Sequence, residues 1–376
     1  MATRGLEGVV AAQTSISRVL GQDGRLIYRG YDIEDLAEHA SFEEVCHLLW
    51  YGDLPDQAAL DRLHGRLMEG AQLGSPAVEV VRHAPAGTHP MAILRSAVSA
   101  LAFTDSDVED NSAEANERKA IRLTAETVAL TAAIERVRRG RDPVDPDPAL
   151  GLGANLLYMM SGRAPDELHA RIMDVALTLH AEHGMNASTF AARVTAGTMA
   201  DMHSAVTSAI GTLKGPLHGG ANERVMRMLQ EVAEPGRAAE WVRGALERGE
   251  KVMGFGHRVY RTLDPRAPIL RELASELAGR GGDQRWLEVS EGIRTAMGEE
   301  MEKRQKQIYP NVDFFSASVY FTMGIPMDLF TNLFACARMA GWTAHVMEQH
   351  ADNRLIRPKG EYVGPEDRKA VPIGQR

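Results

Sequence analysis

Two histidines of the sequence stand in glycine-rich turns, where little side-chain bulk surrounds the imidazole. His218 lies in GPLHGGANE (215–223), and His257 lies in GFGHRV (254–259). Glycine and proline break regular structure, and glycine lets a ligand approach the backbone closely. A turn histidine is often merely solvated, but such a turn can equally present an imidazole to a small ligand for proton transfer. Both histidines are therefore candidates for catalysis.

A carboxylate and an amide form a second set of candidates. Asp313 stands between two apolar residues at the start of a long apolar run. In apolar surroundings the pKa of a carboxylate rises, as a general base requires. The same position suits a helix N-cap, and Asn186 in EHGMNAST (182–189) is also a good N-cap residue. A capping role and a functional role both remain open for Asp313 and Asn186.

Arginines accompany these residues. Arg338 lies within the most apolar helical stretch, and Arg357 follows in NRLIRPKG (353–360). A buried guanidinium needs an anionic partner, which is either an anionic ligand or a structural carboxylate. Further arginines crowd VMGFGHRVYRTLDPRAP (252–268), a segment that is also compatible with a solvated basic loop. Taken together, the histidines, the carboxylate and the arginines suggest proton transfer on a multiply anionic substrate.

Helices must position most of these residues. The N-terminal TSISRVL, GQDG and RLIYRG resemble two short strands around a turn. Ser41 and Glu44 form a capping box at the start of a helix. Apolar residues at helical spacing, with Pro90 at one helix start, predict helices over 90–101, 116–140, 166–183, 221–234, 238–248, 265–279, 284–307, 313–323 and 326–349. The sequence therefore predicts a mainly α fold with a small N-terminal β-hairpin.

Composition narrows the class of protein. The 376 residues suggest about two domains, and the formal net charge of −9 argues against nucleic-acid or membrane partners. Cys46 and Cys336 lie far apart in apolar helical runs, so we expect small buried hydrophobes rather than a disulfide. His180 and His183 alone do not make a metal site. No uncharged apolar window reaches transmembrane length, so we expect a cytoplasmic protein.

In this order the motifs resemble the citrate synthase family, in its short bacterial and archaeal form. The resemblance covers nearly the whole chain, and its most specific segment runs from Gly254 to Arg266. The matching stretches are LIYRGYDIEDLAEHASFEEVCHLLWYGDLP, HPMAILRSAVSAL, EHGMNASTFAARV, GPLHGGANE, GFGHRVYRTLDPRAP, YPNVDFFSA and RLIRPKGEYVGP. The resemblance implies the citrate synthase fold. A large helical domain is expected over 1–219 and 325–376, with a small helical domain over 220–324.

The family's functional residues carry over onto matching positions of this chain. The implied catalytic residues are His218, His257 and Asp313. The implied oxaloacetate ligands are His183, Asn186, His257, Arg266, Arg338 and, from the partner subunit of a homodimer, Arg357. The implied coenzyme A contacts are Arg261 at a phosphate and the backbone around Val252, Gly254, Phe255 and Gly256 at the adenine. The resemblance implies no metal and no permanently bound cofactor, since the coenzyme A thioester is a co-substrate.

The resemblance implies an acyltransferase that condenses acetyl-CoA with oxaloacetate and hydrolyses citryl-CoA to citrate and CoA, at the entry to the tricarboxylic acid cycle. A 2-methylcitrate synthase that uses propionyl-CoA is the nearest alternative, because one methylene changes binding by only about 1–3 kcal/mol. A catalytically silent binding or regulatory homologue and a helical scaffold are more remote. Glu182 and Asn332 stand where many relatives have Asp and Pro. The short form also implies a dimer without the NADH inhibition of longer, hexameric forms, and domain closure over the substrates.

Overall fold

In a computed structural model of the chain, the structure describes residues 4–6, 8–72, 76–281 and 283–376. This part of the chain contains sixteen α-helices and one three-stranded antiparallel sheet. The strands are β1 Ser17–Leu20, β2 Arg25–Tyr28 and β3 Tyr31–Asp32. The helices are α1 Ile33–His39, α2 Phe42–Tyr51, α3 Gln57–Gly70, α4 Pro76–Arg82, α5 Pro90–Ala100, α6 Ala113–Arg138, α7 Leu152–Ser161, α8 Glu167–His180, α9 Ala187–Ala196, α10 Met202–Leu213, α11 Ala221–Val232, α12 Ala238–Glu247, α13 Arg266–Gly279, α14 Gln284–Lys303, α15 Val312–Thr322 and α16 Phe330–Ala351. The predicted mainly α class is confirmed.

The predicted N-terminal hairpin is present and has one more strand than expected. β1 and β2 pair antiparallel with Ser17 opposite Tyr28, and the short β3 adds to the other edge of β2. The hairpin turn lies against the loop that follows His257. Arg261 donates its backbone N–H to the carbonyl oxygen of Gly21 at 2.8 Å. A Cβ on Gly21 would come within 2.2 Å of the carbonyl oxygen of Val259, so only glycine allows this close approach.

Side-chain caps fix where several helices begin. Ser41 and Glu44 form the predicted capping box of α2. Asn186 accepts hydrogen bonds from the backbone N–H groups of the first turn of α9, so its predicted capping role is confirmed. Asn311, not Asp313, caps α15. The capping explanation of Asp313 is therefore wrong, and its carboxylate is left free for another role.

Helix α16 forms the centre of the core, as its apolar sequence predicts. It packs against α2, α6, α8, α9 and α10. Nearly all of its side chains are buried, including Arg338 and Trp342. The helix begins at Phe330, four residues later than predicted, because a short 3-10 turn occupies Met327–Leu329. A helix buried on all sides holds whatever it carries in one rigid position.

A second set of helices packs mainly within itself. α13 and α11 both lie against α15, and α12 lies against α14. These helices span the region predicted as the small domain, while the rest of the core surrounds α16. Within the described ranges, no helix is both long and apolar enough to cross a bilayer.

Candidate active site

Two of the predicted histidines lie ring to ring. His183 and His257 have ring centroids 5.2 Å apart in an edge-to-face arrangement. Tyr260 completes the cluster, because its hydroxyl lies 3.2 Å from Nε2 of His183 and its ring lies 4.7 Å from that of His257. His183 follows the end of α8, whereas the other two residues belong to the loop before α13. Residues about 75 positions apart thus form one polar surface.

The loop conformation determines the tautomer of His257. Its Nδ1 accepts the backbone N–H groups of Val259 at 3.0 Å and Tyr260 at 3.1 Å. A backbone N–H can only donate, so Nδ1 carries no proton and the proton of the neutral ring lies on Nε2. Burial and then the positive charge of Arg266 lower the pKa of His257 to about 4. The ring is therefore a neutral donor through Nε2 near pH 7.

His218 has the opposite tautomer. It lies in the turn before α11, which begins at Ala221. Its Nε2 accepts the backbone N–H of Ser188 at 3.4 Å and lies 2.8 Å from the hydroxyl of the same residue. The proton of the neutral ring therefore lies on Nδ1. Burial and then Arg338 lower the pKa of His218 to about 4, so this ring is also neutral near pH 7.

Asp313 lies in the first turn of α15 with one carboxylate oxygen unpaired. Oδ1 is buried and has no hydrogen-bond partner among the described residues. Burial raises the pKa of Asp313 to about 6, although the guanidinium groups of Arg266 and Arg338 act in the opposite direction. A carboxylate of this pKa is largely ionised at pH 7 and a stronger base than an exposed aspartate.

Arg266 is held by an aspartate that the sequence reasoning did not single out. Its Nε and Nη2 donate to the two oxygens of Asp264 at 2.9 and 2.8 Å, and both side chains are buried. The backbone N–H of Val312 approaches the same carboxylate at 3.3 Å, which ties this pair to the start of α15. Only Nη1 points elsewhere, towards the carbonyl oxygen of Leu179 at 3.5 Å. Arg266 can therefore offer a ligand its remaining N–H groups only.

Arg338 differs from Arg266 because no carboxylate pairs with it. Its Nε donates to the carbonyl oxygen of His180 at 2.8 Å, and its guanidinium lies 4.8 Å from the ring centre of Phe334. Of the described carboxylates, none lies within ion-pair distance of it. Burial lowers the pKa of Arg338 to about 10, although Glu182 opposes this, so the group remains charged. Of the two partners that the sequence left open, a directly paired structural carboxylate is excluded in the described chain.

Asn186 connects the two halves of the cluster. Its Oδ1 caps α9 and lies 2.8 Å from the hydroxyl oxygen of Ser188. Its Nδ2 donates to Oγ1 of Thr189 at 2.9 Å and approaches the carbonyl oxygen of Gly184 at 3.2 Å. The side chain thereby fixes the turn that carries His183. The amide is engaged with protein groups on both ends.

Three of the five predicted coenzyme A residues, Arg261, Phe255 and Gly256, line two adjoining cavities. Arg261 lines a cavity of about 190 Å³ together with His257 and Gly256. Phe255 lines a larger cavity of about 990 Å³, and residues 307–310 line both. Gly256 donates its N–H to the carbonyl oxygen of Tyr309 at 2.8 Å, so this backbone group is already used. Val252 is buried, and neither Val252 nor Gly254 lines either cavity.

Arg357 is the one predicted site residue that this chain does not bring near the others. It is exposed in the extended segment that follows α16. Among the described residues, none pairs with it.

Sequence reasoning missed three residues that hold the cluster together, namely Ser188, Tyr260 and Asp264. The signal for Ser188 was its place two positions after the capping Asn186, and the signal for Asp264 was the Asp-Pro-Arg order. Neither signal indicates which distant residue the side chain contacts in the folded chain. Within the described ranges, no three His, Cys, Asp or Glu side chains converge as metal ligands do.

Comparison with known proteins gives one consistent family. The family model described as "Citrate synthase, C-terminal domain" matches residues 5–359. A citrate synthase of Haloferax volcanii is 50% identical over 99% of this chain and 98% of its own length. A 2-methylcitrate synthase of Shewanella oneidensis is 44% identical over 99% of this chain and 97% of its own length.

A solved structure agrees. The citrate synthase of the archaeon Thermoplasma acidophilum, in a ternary complex with carboxymethyl coenzyme A and oxaloacetate, is 32% identical with a TM-score of 0.94. The match covers 100% of both chains.

Proposed function

This chain belongs to the citrate synthase family, and from that premise we propose that its histidine cluster condenses acetyl-CoA with oxaloacetate and hydrolyses the product to citrate and CoA. It is an enzyme of the acyltransferase class in which the acyl group becomes an alkyl group. The carbon acid is the methyl group of the thioester, and the electrophile is the keto carbon of oxaloacetate. Asp313, His218 and His257 each carry out one part of this reaction.

Asp313 is the base that removes a proton from the thioester methyl group. Its buried, unpaired Oδ1 and its pKa of about 6 suit that task at neutral pH. A thioester methyl group is a very weak acid, so the enolate oxygen must be stabilised as the proton leaves. His218 does this by donating Nδ1–H, while Ser188 keeps the proton off Nε2.

His257 polarises the electrophile. Its Nε2–H donates to the keto oxygen of oxaloacetate, so that charge developing on this oxygen is stabilised when the enolate carbon forms the new bond. The two backbone N–H groups at Nδ1 keep the ring in the required tautomer. A neutral imidazole at each site donates a hydrogen bond without offering its proton to the Asp313 carboxylate, which must remain ionised.

Arginines hold the two carboxylates of oxaloacetate. Arg338 is buried and has no carboxylate partner, so an anionic ligand would satisfy it. Arg266 contributes the N–H groups that Asp264 leaves free, and His183 and Asn186 are the further oxaloacetate ligands of this chain. Arg357 completes the set from the partner subunit of a homodimer.

The coenzyme A chain lies in the two adjoining cavities beside His257. Arg261 contacts a phosphate at the smaller cavity, and the larger, lined by Phe255, has room for the remainder of the molecule. The backbone of residues 252–256 lies alongside. His257 and Asp313 belong to the small domain, and His183 and Arg338 belong to the large one, so closure of the domains assembles the site and excludes water. We place the enzyme in the cytoplasm, at the entry to the tricarboxylic acid cycle.

One observation carries this proposal: two buried arginines act on all three catalytic candidates, Arg338 on His218, Arg266 on His257, and both on Asp313, whose Oδ1 is buried and unpaired. The test is release of free thiol from acetyl-CoA in the presence of oxaloacetate. We expect turnover by the wild type and a loss of about 10³-fold in kcat for Asp313→Asn. Asp61→Asn, on the exposed face of α3, is the matched control and should retain full activity. A wild type that releases no thiol, or an Asp313→Asn enzyme as fast as the control, contradicts the proposal.

The 44% identity to a 2-methylcitrate synthase keeps propionyl-CoA as a second candidate substrate. The specificity constants for acetyl-CoA and propionyl-CoA, measured on the same preparation, separate the two functions. We expect acetyl-CoA to have the higher constant. A higher constant for propionyl-CoA would reassign the enzyme without changing the roles of its residues.

A further inference from the structure

One face of α16 holds the turn that carries His183. Arg338, Gly341 and His345 recur at intervals of three and four residues, so they share this face. Arg338 bonds the carbonyl oxygen of His180, and His345 lies 3.1 Å from Oε1 of Glu182. Between them, a Cβ on Gly341 would overlap Oε2 of Glu182, at 2.3 Å. The absence of a side chain at 341 is what admits the glutamate.

Glu182 is fully buried and only half satisfied. Its Oε1 accepts hydrogen bonds from Oγ of Ser17 at 2.9 Å and from His345. Its Oε2 has no hydrogen-bond partner among the described residues. The backbone of the same residue is fixed by the hydroxyl of Tyr28, which donates to the carbonyl oxygen at 2.7 Å. A buried carboxylate held this firmly needs a nearby positive charge to remain ionised.

His345 does not supply that charge. Its Nδ1 faces Nη1 of Arg193 at 3.0 Å, and a guanidinium can only donate. Nδ1 is therefore the acceptor, and His345 is a neutral ring that donates Nε2–H to Glu182. The charge of Arg193 is balanced in turn by Glu348, whose Oε2 lies 2.6 Å from Nη1.

Of the buried arginines in the described part of the chain, only Arg338 is left without a carboxylate of its own. Arg266 is paired with Asp264 through two hydrogen bonds. Arg338 has no carboxylate within ion-pair distance, and it lies one turn of α16 before Gly341, which contacts Glu182. Asp313 also acts on Arg338, but less strongly than Glu182 does. Glu182 opposes the lowering of the pKa of Arg338 by burial, which agrees with a pairing at a distance.

We propose that Glu182 is the resident counterion of Arg338 in the empty pocket and that it thereby weakens the binding of oxaloacetate. The inference rests on the proposed function, because it takes oxaloacetate as the ligand of Arg338. The carboxylate stabilises the guanidinium while the pocket is empty. When the substrate carboxylate arrives, the fixed charge of Glu182 repels it. Affinity is lower than the arginines alone would give, which favours release of an anionic product.

The affinity test uses Glu182→Gln, which keeps the acceptor Oε1 and the shape of the side chain but removes the charge. We expect the dissociation constant for oxaloacetate alone, measured by calorimetry, to fall about three- to thirty-fold, because one repulsive charge near the pocket is lost. A residue that only supports the turn gives the opposite result, since losing support weakens binding.

Glu43→Gln is the matched control. Glu43 is also buried, and Oε2 of its carboxylate lies 3.0 Å from a histidine, His64, but it lies on α2 away from the histidine cluster. We expect this variant to lose stability and to bind oxaloacetate as the wild type does. Unchanged or weaker binding in Glu182→Gln overturns the inference. A wild type that does not bind oxaloacetate contradicts the proposed function instead.

A stability test needs no substrate. We expect Glu182→Gln to lower the melting temperature because it leaves Arg338 without a counterion, and Arg338→Gln to lower it because it leaves Glu182 alone. The double variant should be more stable than Glu182→Gln, even if that single variant does not fold. A double variant no more stable than Glu182→Gln overturns the inference.

Discussion

At the scale of single residues, the polar contacts of each imidazole decide what it can do. Two backbone N–H groups at Nδ1 leave His257 a donor through Nε2, and one at Nε2 leaves His218 a donor through Nδ1. Burial keeps both rings neutral, and it raises the pKa of Asp313. Desolvation disfavours every charged form, so one physical cause yields two neutral donors and one stronger base.

The pH dependence of kcat/KM follows from these shifts. Burial disfavours the carboxylate form of Asp313, so the active ionised fraction grows as pH rises through its pKa of about 6. His218 and His257, each with a pKa of about 4, have already lost their extra protons in that range. We expect log kcat/KM to rise with a slope of about one below pH 6 and to level off above it.

Nitrogen-15 NMR of the imidazoles supplies the control for this profile. At pH 6, His257 should show a neutral ring protonated on Nε2, and His218 a neutral ring protonated on Nδ1. An imidazolium signal from either residue at pH 6, or activity that falls as pH rises from 5 to 7, contradicts the assignment.

The sequence identified candidate residues but not their contacts. Asp313 was recognisable as a candidate from its apolar neighbours. Only the structure excluded a capping role for it, because Asn311 caps α15. Ser188 and His218 are thirty positions apart, and no local pattern links them. Arg266 is a similar case. Asp264 stands two positions before it in the sequence, but the sequence does not predict that the two side chains form a bidentate pair. Contacts of this kind depend on packing, which periodicity does not report.

At the scale of elements, the loop before α13 is built around glycines with left-handed backbone angles. Gly254 has φ of +78°, and a Cβ at this position would meet the side chains of Phe314 and Val225. Its carbonyl oxygen accepts the N–H of Asn311, the residue that caps α15. The glycine therefore couples the loop that carries His257 to the helix that carries Asp313.

Gly254→Ala tests that coupling. A Cβ would lie 2.8 Å from the ring of Phe314 and 2.9 Å from Val225, in addition to the strain of a positive φ. We expect a loss of about 2–4 kcal/mol in the free energy of unfolding and at least a tenfold rise in KM for the thioester. Both are measured by denaturant unfolding and steady-state kinetics.

Gly249→Ala is the control for strain alone. Gly249 has φ of +72°, but nothing lies within 4 Å of where its Cβ would be. This variant should lose only about 1 kcal/mol and keep the wild-type KM. Equal losses in the two variants would mean that backbone strain, and not the contact with α15, accounts for the effect.

The helices were the most predictable elements. The sequence located α11, α13 and α15 to within about two residues at either end. α11 and α13 each bury one stripe, whereas α15 is an apolar run that is buried on nearly all sides. The sequence placed the start of α16 too early, since the 3-10 turn at Met327–Leu329 continues the same apolar pattern. It missed β3, whose two residues are too few to establish an alternation.

At the scale of the whole molecule, the site depends on pairs of residues that are remote in sequence. The turn of β1 and β2 contacts the loop at Arg261, and α16 contacts the turn at Glu182. The resemblance to a family indicated the candidate catalytic and binding residues. Only the folded chain shows how the charges of Arg338, Glu182 and Arg266 are balanced. The sequence accordingly named candidate site residues, but it did not indicate the residues that support them.

The dimer can be tested at Arg357, which is exposed in the segment after α16 and unpaired among the described residues. If it completes the oxaloacetate site of a partner subunit, Arg357→Gln and Asp313→Asn must complement each other. In a mixed dimer one site has lost both groups and the other has kept both. Random pairing makes about half of the dimers mixed, each with one complete site, so about a quarter of the wild-type activity should return. The measurement is thiol release by two differently tagged variants expressed together, with each variant alone as the control. If Arg357 instead serves its own chain, each site of the mixed dimer lacks one group, and no activity returns.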